Sequence, residues 1–191
     1  MRVVNRHEGN TMYKLVITTL LLTVSSTNYA DCNKSLTRTA PDNRYELLNN
    51  NTEVKDKETG LIWQRCSLGQ TWSGTSCTGK TTEYEWKAAL QAAKKMGSGW
   101  RMPNVTELSS LLELACYFPA INKDFFPDTI HGMFWSSSPN ANNSNNAWNV
   151  NFNNGNVNNN NKDNAKYVRL VRGGKSVSYT HLRAHETDSY L

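Results

Sequence analysis

Between Asn140 and Asn164, 15 of 25 residues are asparagine. Asparagine is disfavoured in strands, so this density needs a reason beyond folding. Ala147-Trp148-Asn149-Val150-Asn151-Phe152 nevertheless alternates strictly. Trp148, Val150 and Phe152 fall on one face and Asn149 and Asn151 on the other. Asn154-Gly155 is a hairpin signal, and Val157 continues the apolar spacing beyond it. A low-complexity, prion-like tract has no cause to keep apolar residues at strand spacing. The segment therefore reads as strand, turn, strand, with apolar side chains in the core and Asn outward.

The flanks of the chain divide into pieces of different kind. Residues 1–11 are polar and unpatterned, and Met12 is expected to be the true start. Lys14 and the apolar run Leu15–Val24 are followed by small polar residues ending at Ala30. That is the order of a secretory signal peptide over 12–30, with a cut expected after Ala30. The run is too short to span a bilayer stably. Asp31 stands where a lipoprotein would want a small residue before Cys32, so no lipid anchor is expected. Val177-Ser178-Tyr179-Thr180-His181-Leu182-Arg183-Ala184-His185-Glu186-Thr187 reads as one frame of a transposase-based sequencing adapter. Residues 177–191 are therefore set aside, and His181 and His185 carry no expected chemistry.

Within 31–176 there are 17 Lys and Arg against 13 Asp and Glu, a net charge of +4. The excess is small and scattered, unlike the dense basic stripe of a nucleic-acid binder. All four cysteines, Cys32, Cys66, Cys77 and Cys116, fall in this span. An even count in an exported chain favours two disulfides, with three possible pairings. Cys66 and Cys77 flank a Gly- and Ser-containing loop that closes easily, which leaves Cys32 with Cys116. Zinc is disfavoured, since no CxxC spacing exists and only His131 is at hand. No metal or cofactor is expected.

Residues 31–52 read as a polar arm with one short strand near Arg44–Leu48. Glu53–Arg65 reads as strand, turn, strand around Gly60. A helix is expected from a cap at Thr81 or Thr82, with Trp86, Ala89, Leu90 and Ala93 inward and Gly97 and Gly99 ending it. Asn104 and Glu107 form a capping-box pair for a second helix, whose buried face is Leu108, Leu111, Leu112 and Ala115. Phe134–Ser138 is a strand, and Tyr167–Arg172 is a final, central strand. Two helices followed by an antiparallel group give an α+β domain over 53–176.

Four motifs stand in order: Thr59-Gly60-Leu61-Ile62-Trp63-Gln64; Gly99-Trp100-Arg101-Met102-Pro103-Asn104 with Glu107-Leu108; Phe134-Trp135-Ser136-Ser137-Ser138; and Tyr167-Val168-Arg169-Leu170-Val171-Arg172. Together they resemble the Lcl C-terminal domain family, named for the C-terminal domain of a bacterial collagen-like adhesin, over about 53–172. Met102 departs from the family's usual Leu, a mild core exchange. The resemblance implies a C-type-lectin-like fold of two helices packed on small antiparallel sheets, stabilised by disulfides. It also implies extracellular binding, in the adhesin to sulfated glycosaminoglycans.

The Asn-rich segment 140–164 is similar to the variable region of a diversity-generating retroelement target, where adenine-rich Asn codons mutate and scaffold codons do not. On that resemblance the ligand-binding set is Asn140, Asn142, Asn143, Asn145, Asn146, Asn149, Asn151, Asn153, Asn154, Asn156, Asn158, Asn159, Asn160, Asn161 and Asn164. The expected protein is an exported (periplasmic, cell-surface or secreted) bacterial receptor or adhesin for a protein or glycan, with no membrane span once the signal is cleaved. The alternative is a fixed-specificity adhesin whose Lys and Arg contact sulfates. Arg169 and Arg172 are candidates there, although a central strand equally suits them to structural pairing. No nucleophile elbow, Cys–His pair or carboxylate dyad is present, so no enzyme is expected. Trp148-Asn149-Val150 and Ser138-Pro139-Asn140 lack the carboxylate and order of a calcium-lectin motif.

Overall fold

The computed structural model describes residues 31–173. The expected upstream segment, signal peptide and adapter-like tail lie outside the described residues. In chain order the strands and helices are β1 (Asp31–Cys32), β2 (Tyr45–Leu48), β3 (Glu53–Asp56), β4 (Leu61–Gln64), β5 (Thr71–Trp72), β6 (Cys77–Thr78), α1 (Trp86–Lys95), α2 (Val105–Ser109), β7 (Cys116–Tyr117), β8 (Met133–Pro139), β9 (Asn146–Asn151), β10 (Asn156–Asn161) and β11 (Val171–Gly173). Every strand pairing between them is antiparallel. The domain is α+β, as its element pattern predicts, and both expected disulfides, Cys66–Cys77 and Cys32–Cys116, are formed.

Two sheets carry the architecture: β11-β4-β3-β2 and β10-β9-β8. The smaller sheet is covered on both faces. Phe134, Val150 and Phe152 face a core that includes Leu108 of α2, Leu111, Trp63, Val54 and Phe126. Trp135 and Ala147 face the opposite way, onto Ala89 and Ala93 of α1 with Met102, Val168 and Leu170. Alternation along β8 and β9 is what lets one sheet serve two cores. Full burial of Phe134, Val150 and Phe152 contributes about 1.5–3 kcal/mol for each side chain.

Three elements differ from the sequence expectation. The first helix starts at Trp86, with Glu85 rather than Thr81 or Thr82 at its N-cap. Tyr84 and Lys166 exchange backbone hydrogen bonds at 2.8 and 3.0 Å, which hold the chain extended up to the helix. The second helix has its capping box, Asn104 Oδ1 accepting from the Glu107 N–H and Glu107 Oε2 from the Asn104 N–H, both at 2.8 Å. It nonetheless ends at Ser109, because Leu112 turns out to bridge Ile121. Leu111, Leu112 and Ala115 are buried from beyond the helix.

The third difference is Tyr167–Arg172. Only Val171–Gly173 is a ladder strand, and it lies at the edge of its sheet beside β4. Upstream, the backbone is shared among different partners. The Tyr167 N–H donates to Met133 O, the Leu68 N–H to Val168 O and the Gln64 N–H to Leu170 O, at 2.9–3.1 Å. The segment is central as a buried stitch between the two sheets, not as one long strand.

Candidate functional site: the asparagine-rich hairpin

β9 and β10 pair in register from Asn146↔Asn161 to Asn151↔Asn156, so residues 152–155 form the connection. Gly155 sits at φ +80°, and a Cβ there would come within 3.2 Å of Leu114 Cδ2. The position therefore favours glycine twice over. β8 supports β9 on its other side, leaving β10 as the free edge. A six-residue strand makes that edge about 20 Å long.

The structure sorts the 15 predicted Asn by what their side chains do. Asn140, Asn143, Asn151, Asn154 and Asn161 each accept, at 2.8–3.2 Å, from the backbone N–H two residues on. These are Asx turns, which fix loop and strand-end geometry. Asn146 donates to Asn159 Oδ1 at 2.8 Å, and Asn149 to Asn160 Oδ1 at 3.0 Å, diagonally across the β9–β10 ladder. Asn142, Asn145, Asn153, Asn156, Asn158 and Asn164 make no side-chain hydrogen bond among the described residues. Asn142, Asn145, Asn156 and Asn164 are exposed and Asn153 and Asn158 half-buried.

Three positions correct the expected in-and-out pattern. Trp148, expected in the core with Val150 and Phe152, is only half-buried. Asn149 is fully buried, because α1 covers the face that Asn149 shares with Ala147. Val157 is 43% exposed, because β10 is an edge strand and nothing covers it there. The Asn set also does not form one patch. Asn142, Asn145 and Asn164 gather at the end where β10 finishes, and Asn153 and Asn154 lie at the hairpin turn.

The hairpin is electrically neutral, since residues 140–161 carry no ionisable side chain. Lys162 closes its far end, donating to Ser144 O at 2.6 Å and standing 4.6 Å from the Trp86 ring centroid. Beside the turn, Leu114 is 60% and Phe118 47% exposed, and the Phe118 N–H donates to Asn153 O at 3.0 Å. Those two apolar neighbours were missed from sequence, because loop residues carry no periodicity to mark them.

The basic candidates are structural. Arg169 is fully buried, and its guanidinium donates to the carbonyls of Gln64 and Arg65 and to the Thr129 and Ser67 hydroxyls. Burial pushes its pKa down. Arg172 donates to Glu53 Oε2 at 2.6 Å. Arg169 is thus closed to a sulfated ligand, and Arg172 is already engaged in an ion pair.

The sequence from 52 to 172 matches the family described as the Lcl C-terminal domain, well over half of the chain. The chain belongs to that family. No curated protein matches it. The family span encloses the whole Asn-rich hairpin, both helices and the Cys66–Cys77 bridge. It excludes β1 and β2, so the Cys32–Cys116 bridge ties a segment outside the family span to a residue inside it. Among the described residues, no helix is long and apolar enough to cross a membrane.

Proposed function

We propose that this Lcl C-terminal domain is an exported ligand-binding protein whose Asn-rich hairpin is a diversifiable surface on a C-type-lectin-like scaffold. Its role is binding rather than catalysis. The observation that carries this is the division within 140–164. Ala147, Val150 and Phe152 are fully buried, whereas Asn142, Asn145, Asn156 and Asn164 are exposed and free of side-chain hydrogen bonds among the described residues. Replaceable side chains thus stand on a fixed apolar frame. Exposed substitutions of this kind usually change stability by less than about 0.5 kcal/mol. Asn offers donor and acceptor at once, a serviceable starting surface for either a protein or a glycan.

The test is to sequence this gene and its surroundings in many copies from one population. The expected result is a near-identical repeat with a reverse transcriptase nearby, and substitutions confined to adenines of Asn codons in 140–164. Invariant Asn codons without such a repeat would overturn the diversified reading.

A fixed adhesin for sulfated glycans is the second reading. One observation favours it: α1 turns Lys87, Gln91, Lys94 and Lys95 outward together. Heparin binding that is lost when Lys87, Lys94 and Lys95 are changed to Gln would support it.

A further inference from the structure

One groove of the domain shares no residue with the Asn-rich hairpin. It lies between the disulfide-closed β5–β6 hairpin, residues of β3 and β4, and the segment that follows α1. Its volume is about 470 Å³, within the range of small-molecule sites. Trp72, Trp100 and Tyr84 line it, with Gln64, Gln70 and Thr71 supplying amides and a hydroxyl.

Both tryptophans are braced. The Arg65 guanidinium lies 3.8 Å from the Trp72 ring centroid, and the Arg172 guanidinium 4.8 Å from that of Trp100. Neither arginine lines the groove. Arg172 is held in turn by Glu53, and Arg65 donates to the backbone carbonyls of Asn51, Asp124 and Phe125. Rings fixed in this way lose little freedom when a ligand stacks on them.

The polar groups are left unfinished. Gln70 Oε1 and Trp72 Nε1 are buried without a partner. Buried polar atoms in folded proteins are nearly always bonded to something. Both atoms are closed off from solvent, and the polar side chains left for a ligand are Gln64 and Thr71, which make no side-chain hydrogen bond among the described residues. No Lys or Arg lines the groove, and its carboxylate, Glu53, is already paired with Arg172. Nothing there would compensate a sulfate or phosphate.

We propose that this groove binds a neutral saccharide. Sugar C–H faces stack on Trp72 and Trp100, and ring hydroxyls bond the Gln64 amide and the Thr71 hydroxyl. A proline-rich peptide also uses aromatic grooves, but it offers few donors to match the amide side chains here. The site is independent of the hairpin and of its proposed diversification.

The full chain is titrated with cellotriose, maltotriose and N-acetylchitotriose, following tryptophan fluorescence. A heparin tetrasaccharide and a proline-rich peptide form separate arms. At least one neutral trisaccharide is expected to bind saturably in the millimolar range or tighter. Trp100→Ala should weaken it about tenfold or more. So should Thr71→Arg, which fills the groove from an exposed position and leaves the core untouched. Asn142→Ala and Asn158→Ala should leave it unchanged. The proposal is overturned if none of the three sugars binds, if only heparin or the peptide binds, or if Thr71→Arg binds as tightly as the parent.

Discussion

Asn149 donates its side-chain amide to Asn160 Oδ1 at 3.0 Å across the β9–β10 ladder, from a site with no solvent exposure. Its own Oδ1 has no partner. A residue that belongs by type to the variable set is, by position, part of the frame. Asn149→Asp would bury a carboxylate against Asn160 Oδ1 and lose the donated hydrogen bond, and burying a charge is costly. A loss of about 3 kcal/mol or more in urea unfolding is expected. Asn142→Asp or Asn158→Asp should stay within about 0.5 kcal/mol. Equal effects at the three positions would contradict the division drawn here.

The turn-forming asparagines should lie between these extremes. Asn140, Asn143 and Asn154 each accept one local N–H, so Ala at any of them loses a hydrogen bond of about 0.5–1.5 kcal/mol. Asp keeps the acceptor and should cost less. Comparing the Ala and Asp series by thermal unfolding checks the assignment, which fails if the two substitutions cost the same.

The two disulfides should differ in worth. The Cys32–Cys116 bridge spans 84 residues and Cys66–Cys77 spans 11. In the chain-entropy model, loops of those sizes correspond to about 4.5 and about 3 kcal/mol. Paired Cys→Ser variants, unfolded in urea, should therefore rank with the loss of Cys32–Cys116 the more damaging.

Two buried carboxylates set the acid limit. Burial alone would raise the Asp56 carboxyl, but hydrogen bonds from Arg44 and Thr59 outweigh it and hold it below its ordinary value. Burial opposes Glu113 likewise, and is outweighed by the N–H groups of Ala115, Ala40 and Thr39 and by the Arg38 side chain. A carboxyl with a lower pKa folded than unfolded holds fewer protons when folded. Its stabilisation is complete above the unfolded values, near 3.8 and 4.5, and is lost as pH falls through the folded ones. Urea midpoints should be flat at neutral pH and decline below about pH 4.5. Asp56→Asn should flatten that decline, and should cost about 3 kcal/mol at pH 7 by leaving the buried Arg44 short of a partner.

Arg169 should not tolerate lysine. Its fork reaches backbone carbonyls on one side and the Thr129 hydroxyl on the other, with Nη2–Oγ1 at 2.8 Å. A single ammonium cannot span both while wholly buried. Arg169→Lys is expected to cost about 2–4 kcal/mol, read by urea unfolding. Arg172→Lys, at a half-buried ion pair, should cost less.

Much of this was written locally in the chain. The Asn104–Glu107 capping box, the Asn154-Gly155 turn and the alternation through Phe152 each depend on neighbours a few residues apart, and all were legible. So was the disulfide pairing, since closing a short loop between Cys66 and Cys77 leaves a single remaining pair. The Asx turns were legible in principle too, because each needs only an Asn two residues before the N–H it accepts.

What the sequence could not settle was which second partner each segment meets. Tyr84 is held extended by Lys166, 82 positions away in the chain, so the helix starts later than its local signals suggest. Tyr167–Arg172 carries a strand composition, but two sheets divide its hydrogen bonds. Asn149 and Val157 reverse their expected exposure because α1 covers one and an open sheet edge leaves the other bare. The local pattern determined that strands, turns and caps would form. Only tertiary packing decided which faces saw solvent, because burial belongs to the contact between elements and not to either element alone.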